Sequence, residues 1–218
     1  KAGKVKVADF DPQELSNFCW GLAKMVDAGQ LEVDEAMKEW IVAAAKAGKV
    51  KVADFNPQEL SNFCWGLAKM VDAGQLEVSL PVKTIIHLCV ECLLTQAPSH
   101  VKPQALSNVL LALATFGEGG PVARPLIRQL VAAAKAKDFA CDYQGLANTL
   151  FSMRVLQEGN GDAFETQGVK TLLCAFDRGL LSREQATQLH QVLHCMEEEG
   201  ESKVATEEQR QAIRKAIG

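Results

Sequence analysis

The sequence predicts an all-α chain, an α-solenoid of stacked helical hairpins with about 40–46 residues per repeat, and three observations carry that expectation. The first is repetition. Residues 1–33 match residues 46–78 at every position but one, where Asp11 is replaced by Asn56. Looser copies of the helix Pro57 to Met70 follow at Val101 to Ala114 and Tyr143 to Met153, and an eroded copy at Glu184 to Leu193. With Asn17, Asn62, Asn108, Asn148 and Gln188 as markers the spacings are 45, 46, 40 and 40 residues. The second observation is helical periodicity within each copy, where apolar residues recur at i, i+3, i+4 and i+7. The third is composition: with one Tyr among 218 residues and a 48% hydrophobic share, the chain lacks the β-branched and aromatic bias of an all-β protein yet has enough apolar surface to fold.

The elements follow in order. Asp11 is a natural N-cap and Pro12 sits at the first helical position, where its missing N–H costs nothing. Leu15, Phe18, Cys19, Leu22, Met25 and Val26 then form a wide apolar face that stops near Ala28-Gly29. A second helix is expected after Asp34, with Ala36, Met37, Trp40, Ile41, Ala44 and Ala45 turned inward and an end at Ala47-Gly48. The Lys/Val alternation from Lys49 to Phe55 reads as an extended linker, too short and isolated for a sheet, with Phe55 as a hydrophobic staple on the next helix. Ser79 caps a helix from Leu80 to Gln96. The turn Ala97-Pro98-Ser99-His100 leads to a helix from Pro103 to Phe116, and Glu118-Gly119-Gly120-Pro121 breaks the chain again. Further helices are expected from Arg124 to Ala136, Tyr143 to Leu156, Thr166 to Asp177 and Arg183 to Glu198. Repeat units therefore run roughly over 1–48, 49–98, 99–138, 139–178 and 179–200. Residues 201–218 form a polar linker and a capping helix from Thr206.

The helix Pro-Gln-x-Leu-Ser-Asn-x-x-Trp-x-Leu-Ala-Lys, at Pro12 to Met25 and Pro57 to Met70 and more loosely at Pro103 to Thr115, resembles the octotricopeptide repeats. These are related to the helical regions of FAST-kinase-like and RAP-domain proteins. The resemblance is weaker at Gln144 to Arg154, which lacks the Pro, and marginal at Glu184 to Cys195. It implies a right-handed α-solenoid of about four and a half hairpins that acts in mitochondria or chloroplasts on mRNA or rRNA, alone or as an accessory subunit of an organellar ribosome. No RAP-like or nuclease-like segment is visible, so the expected function is non-catalytic, with no cofactor.

Helical geometry points to the side chains that would meet a ligand. With Leu15 at the centre of the apolar face, Gln13, Asn17 and Lys24 fall opposite it, beside Trp20. The same stripe is Gln58, Asn62, Trp65 and Lys69 in the second copy, Gln104, Asn108, Leu111 and Thr115 in the third, and Gln144, Asn148, Phe151 and Val155 in the fourth. Amides can pair with base edges, aromatics can stack on bases, and Lys can meet phosphate. Each Asn can equally be a structural amide that bonds a neighbouring loop and holds successive units in register, while Trp20 and Trp65, as large aromatics, are expected to pack between repeats rather than to serve as stacking platforms.

Charge divides the chain. Its formal balance is −4, unlike a basic nucleic-acid binder. Residues 79–137 nevertheless carry six Lys/Arg (Lys83, Lys102, Arg124, Arg128, Lys135, Lys137) against two acids, while residues 138–218 carry eight against thirteen. Lys102, Arg124 and Arg128 thus join the candidate RNA-binding residues, and the acidic end suits contact with other proteins of a ribonucleoprotein or large complex. A pure protein-interaction scaffold is the competing function.

Other patterns carry less. Seven Cys, an odd number, sit mostly on apolar helix positions and suit free thiols rather than a disulfide framework. Cys89-Val90-Glu91-Cys92 beside His87, and His190 with His194 and Cys195, have partial metal-ligand spacing but lack further ligands. The Gly119-Gly120 and Gly159-Asn160-Gly161 loops lack the Lys and strand of a phosphate loop. No apolar run reaches the roughly 20 residues of a membrane span, so no membrane insertion is expected. The chain opens on Lys inside a repeat whose first helix is missing, which points to a longer or processed protein.

Overall fold

The computed structural model describes residues 6–96, 100–136, 142–158, 163–200 and 204–218, with backbone alone at 134–136 and 163. Among these residues it is all-α: ten α-helices, two 3₁₀ turns and no strand. The Ala97-Pro98-Ser99 turn, the Gly159-Asn160-Gly161 loop, Lys137 and the Glu201-Ser202 linker lie outside the described residues.

The chain divides into two compact units, Lys1–Phe116 and Gly117–Gly218. The first contains α1 (Pro12–Asp27), α2 (Glu35–Lys51), α3 (Pro57–Asp72), α4 (Leu80–Thr95) and α5 (Pro103–Phe116). Here α1 packs on α3 and α3 on α5, forming one layer, while α2 packs on α4 in the other. This is the stacked-hairpin arrangement of an α-solenoid, in which each unit buries its apolar face against its neighbour. The motif helices start as their sequence dictates. Asp11 accepts from the Glu14 N–H at 2.8 Å while the Glu14 carboxylate accepts from the Asp11 N–H at 2.9 Å. The Asn56/Glu59 pair repeats that capping box.

Three expectations are corrected in this unit. The Lys49-to-Phe55 segment is not extended: α2 runs through Gly48 to Lys51, and a 3₁₀ turn (Val52–Asp54) follows. Val50 lies exposed, so the alternation has no core to face, and the chain stays helical through the 3₁₀ turn up to the extended Phe55 that leads into the Asn56-Pro57 cap. Phe55 is buried and meets Phe63 edge-on at 5.7 Å, one turn beyond the usual staple position. Trp40 is 55% exposed rather than inward, and Ala36 is exposed too. The buried strip of α2 is Ile41, Ala44, Ala45, Ala47 and Gly48; Trp40 shares the Ala44 and Ala47 side of the wheel, so its exposure reflects the lack of a neighbour at that end of the helix rather than its place on the wheel. Met25 is 44% exposed, whereas the equivalent Met70 is fully buried.

The second unit holds α6 (Ala123–Ala136), α7 (Tyr143–Val155), α8 (Ala163–Asp177), α9 (Arg183–Glu198) and α10 (Glu207–Ile217). α8 starts three residues before the expected Thr166, and Leu156 is the C-cap of α7 rather than its last turn. α7 packs on α6, α8 and α9, and α10 lies on α8 and α9. The core includes Leu146, Leu150, Phe164, Leu172, Leu189 and Val192. Gly168 lets α8 come so near α7 that a Cβ there would sit 3.1 Å from Leu150 Cδ1. Thr206 caps α10 in a capping box with Gln209, and Ile213 seats it with no exposed surface.

Candidate functional site

The two near-identical helices α1 and α3 run side by side, so their polar stripes form adjacent rows. Gln13, Asn17 and Lys24 are exposed along α1, and Gln58 is exposed along α3 beside half-buried Asn62 and Lys69. Gln58 Nε2 donates to Asn62 Oδ1 at 2.9 Å, one helical turn apart. Trp20 is 43% exposed and Trp65 half-buried. Lys24 Nζ stands 4.9 Å from the Trp65 ring centroid and 5.9 Å from that of Trp20, and Lys69 Nζ lies 5.9 Å from Trp65. Cation–π attraction of this kind is worth about 0.5–1 kcal/mol at an exposed site. The expectation that the indoles pack between repeats is thereby corrected for Trp20 and holds only in part for half-buried Trp65: the rings belong to a ladder of alternating indoles and ammonium groups with its Trp20 end open to solvent.

The ladder ends within the third copy. Its ring and Lys positions carry Leu111, which is buried, and Thr115, whose hydroxyl donates back to the Leu111 carbonyl at 3.1 Å. Lys102 and Gln104 are exposed. Asn108 is half-buried and Nδ2 donates to Ser61 Oγ of α3 at 3.2 Å, so this amide ties one motif helix to the one before it.

In the second unit the stripe turns inward. Asn148 is buried, and its Oδ1 accepts from Gln144 Nε2 at 2.8 Å and from Gln188 Nε2 of α9 at 2.9 Å. The register role lies between neighbouring helices rather than toward a loop. Phe151 is half-buried and Val155 exposed, so no second cationic ladder continues there. Arg128 is exposed, while Arg124 Nε donates to Glu158 Oε2 at 2.9 Å, at a joint where Glu158 also accepts from the Gly120 N–H. Lys102 lies in one unit and the two arginines in the other.

Sequence reasoning passed over one group. Arg154 of α7 and Glu165 of α8, each with side chains about 1% exposed, pair with Arg154 Nη2 to Glu165 Oε2 at 3.0 Å and Nε to Oε1 at 2.9 Å. Arg154 also pairs with Glu199 at the end of α9. The available signal was positional: six residues after the marker, the first three copies have Ala23, Ala68 and Ala114, where the fourth has the charged Arg154.

The partial metal spacings stay partial. Burial holds the Cys19 thiol well above its ordinary value, as do a hydrogen bond with Cys64 and then burial at Cys89. His190 and His194 line a small cleft with Glu197, Arg210 and Arg214. Among the described residues no group of three or more His, Cys, Asp or Glu could hold a metal ion, and no helix is long and apolar enough to cross a membrane. No protein-family model, curated protein or solved structure matches the chain.

Proposed function

We propose that the chain is a non-catalytic RNA-binding helical-repeat protein that holds single-stranded RNA along the exposed stripe of α1 and α3. In this reading it acts in an organelle, on mRNA or rRNA, as a processing, stability or translation factor or as a ribosomal accessory subunit. The observation that carries it is the Trp20-Lys24-Trp65-Lys69 ladder. Indole faces accept any base by stacking, at about 1–3 kcal/mol per base, and neighbouring ammonium groups meet the phosphates between them. Gln13, Asn17, Gln58 and Asn62 line the same surface with donors and acceptors suited to base edges. Gln104 and Lys102 extend it, Arg128 supplies a further exposed cation in the second unit, and Asn108, Arg124, Gln144 and Asn148 act mainly through the structure they hold.

A second reading is a protein-interaction scaffold. Trp40 and Val50 on α2 and Leu80 on α4 are exposed large apolar side chains in the layer away from the ladder. The two readings separate in one experiment. The purified chain is titrated with a labelled single-stranded RNA at several salt concentrations, alongside a Trp20→Ala/Lys24→Ala/Trp65→Ala/Lys69→Ala variant checked for native helicity. The RNA reading expects binding that weakens at least about tenfold in the variant. It also expects a salt slope flatter by about 1.4, at about 0.7 for each phosphate-facing Lys. RNA affinity equal in both proteins, or none in either, removes the ladder from RNA recognition and leaves the scaffold.

A further inference from the structure

In the first unit α2 and α4 form the layer away from the ladder. They come close at Gly48, where a Cβ would stand 3.1 Å from Phe63 Cζ and 3.6 Å from Ile85 Cδ1. Beside that contact, toward the start of α4, they part and leave a groove of about 260 Å³ lined by Ala45, Lys46 and Lys49 of α2 and Leu80, Pro81 and Thr84 of α4. The groove lies between two elements of the fold, on the side of α2 that faces α4, whereas Trp40, Ala44 and Ala47 lie on the opposite side of the wheel. Its lining follows from the sequence. The match between the first two copies ends at Val78, and α4 carries Leu80, Pro81 and Thr84 where α2 carries Glu35, Ala36 and Glu39. The first turn of α4 therefore brings no carboxylate to the groove. Among the described residues Lys46 and Lys49, both exposed, make no ion pair. The positive end of the α4 dipole adds to their charge, since Leu80 and Pro81 are its first two residues and Ser79 makes no side-chain bond to its N–H groups.

The groove thus joins two features of opposite character. Its floor is apolar, with Leu80 77% exposed beside Pro81 and Ala45, and its rim holds two ammonium groups one helical turn apart. A bare inorganic anion would leave the floor in water, and a neutral hydrocarbon would leave the lysines without a counter-charge. We propose that this groove binds a small organic anion with an apolar body, of which a medium-chain carboxylate is the simplest form. The carboxylate lies between the Lys46 and Lys49 ammonium groups, and the apolar body covers Ala45, Leu80 and Pro81 and takes their surface out of water. The volume sets the size of the ligand. It falls just below the roughly 300–1,000 Å³ of pockets that enclose drug-sized molecules, so a short chain or a single ring matches it and a nucleotide or a peptide helix does not. The site is separate from the RNA reading, because none of its residues belongs to α1 or α3, which carry the ladder.

The test titrates octanoate, octanamide and acetate into the full 218-residue chain at constant ionic strength, with binding followed by calorimetry. Octanamide keeps the apolar body without the charge, and acetate keeps the charge without the body. The same titrations are run on Lys46→Gln/Lys49→Gln and on Thr84→Phe, which puts a ring into the groove, each checked for native helicity. The expected result is saturable binding of octanoate, at least about fivefold weaker for octanamide, for acetate and for each variant. No saturable binding of octanoate, equal affinity for octanoate and octanamide, or undiminished binding in either variant overturns the assignment. Vesicles of phosphatidylcholine and phosphatidylserine test the other source of such an anion. The chain is expected to stay in solution beside them, and co-sedimentation that Lys46→Gln/Lys49→Gln abolishes would give the groove to a lipid surface and overturn the proposal as well. RNA binding, measured on the same Lys46→Gln/Lys49→Gln protein, stays unchanged, so failure here is distinguishable from failure of the RNA reading.

Discussion

At the scale of single residues, Gly21 and Gly66 occupy the same place in the same sixteen-residue helix and face opposite physical demands. Gly21 has open space where a methyl would go, so Gly21→Ala should remove a helix-interior glycine and raise stability by about 0.5–1 kcal/mol. Gly66 has the Cys19 backbone there, so Gly66→Ala should force α1 away from α3 and cost about 1–3 kcal/mol. Urea denaturation of the two variants tests the pair, and the same sign for both would contradict the packing described. Arg154 sets a second residue-scale test. Breaking its buried pairing with Glu165, by Arg154→Met or Glu165→Gln, should cost about 3–5 kcal/mol, with Arg154→Met the costlier because Arg154 keeps Glu199 when Glu165 is lost. Arg154→Met/Glu165→Met should cost less than the sum of the singles, since the apolar pair removes both charges; additive losses in the same assay would show that the two side chains do not act together. Neither residue is legible as a site from the sequence. A charge amid Ala counterparts marks a change in packing but not its partner, because Glu165 belongs to a helix outside the repeated motif.

At the scale of elements, the caps read directly from the sequence and the contacts of the last helix do not. Pro after Asp11 or Asn56, with Glu three residues after each cap, sets the start of α1 and α3 through local hydrogen bonds alone. The seat of α10 depends on distant groups: Arg210 meets Glu197 at 2.6 Å, Gln209 donates to Asp177 at 2.9 Å and Arg183 Nε donates to the Ile217 carbonyl at 3.1 Å. His190 lies beside this seat, and burial lowers its pKa below the ordinary 6.5, with Arg214, His194 and Arg210 acting in the same sense and Glu197 against them. The folded state thus favours neutral imidazole. The unfolded chain binds the extra proton first, so this contribution is complete above pH of about 6.5 and is lost as pH falls through the lower folded value. The melting temperature of the chain should therefore drop more steeply from pH 7 to pH 5 than that of His190→Gln. Matching pH profiles would show that His190 does not report on the α10 seat.

At the scale of the molecule, stacked units exchange support only with neighbours, so stability should vary along the stack. Cys19, Cys64 and Cys89 are fully buried in the first unit, and Cys174 is exposed in the second. Alkylation followed by mass spectrometry should label Cys174 in the native protein at once. The buried thiols should stay protected, and Cys19 on the end helix α1 should become reactive at lower urea than Cys64 in the middle of the layer. Simultaneous release of Cys19 and Cys64 would instead mean that the first unit opens as one cooperative block. The Trp-Lys ladder belongs to this scale too. Trp20, Lys24, Trp65 and Lys69 each stand out in the sequence on the polar stripe, but side-chain size alone points the indoles into the space between repeats. Only the spacing of α1 and α3 brings the Lys24 ammonium over a ring of the next copy.

The sequence by itself determined the all-α class, the helix starts and the repeat, because capping, proline and apolar periodicity act within a few residues of chain. It also set which residues share a helix face, since that follows from helical geometry alone. Tertiary structure decided what each face meets. The third and fourth copies of the marker amide became helix-to-helix ties, Trp40 and Met25 turned out exposed, and identical glycines became one crowded and one open position. The physical reason is that burial is a property of neighbours: two identical helices in one chain bury different residues when only one of them has a helix on both sides.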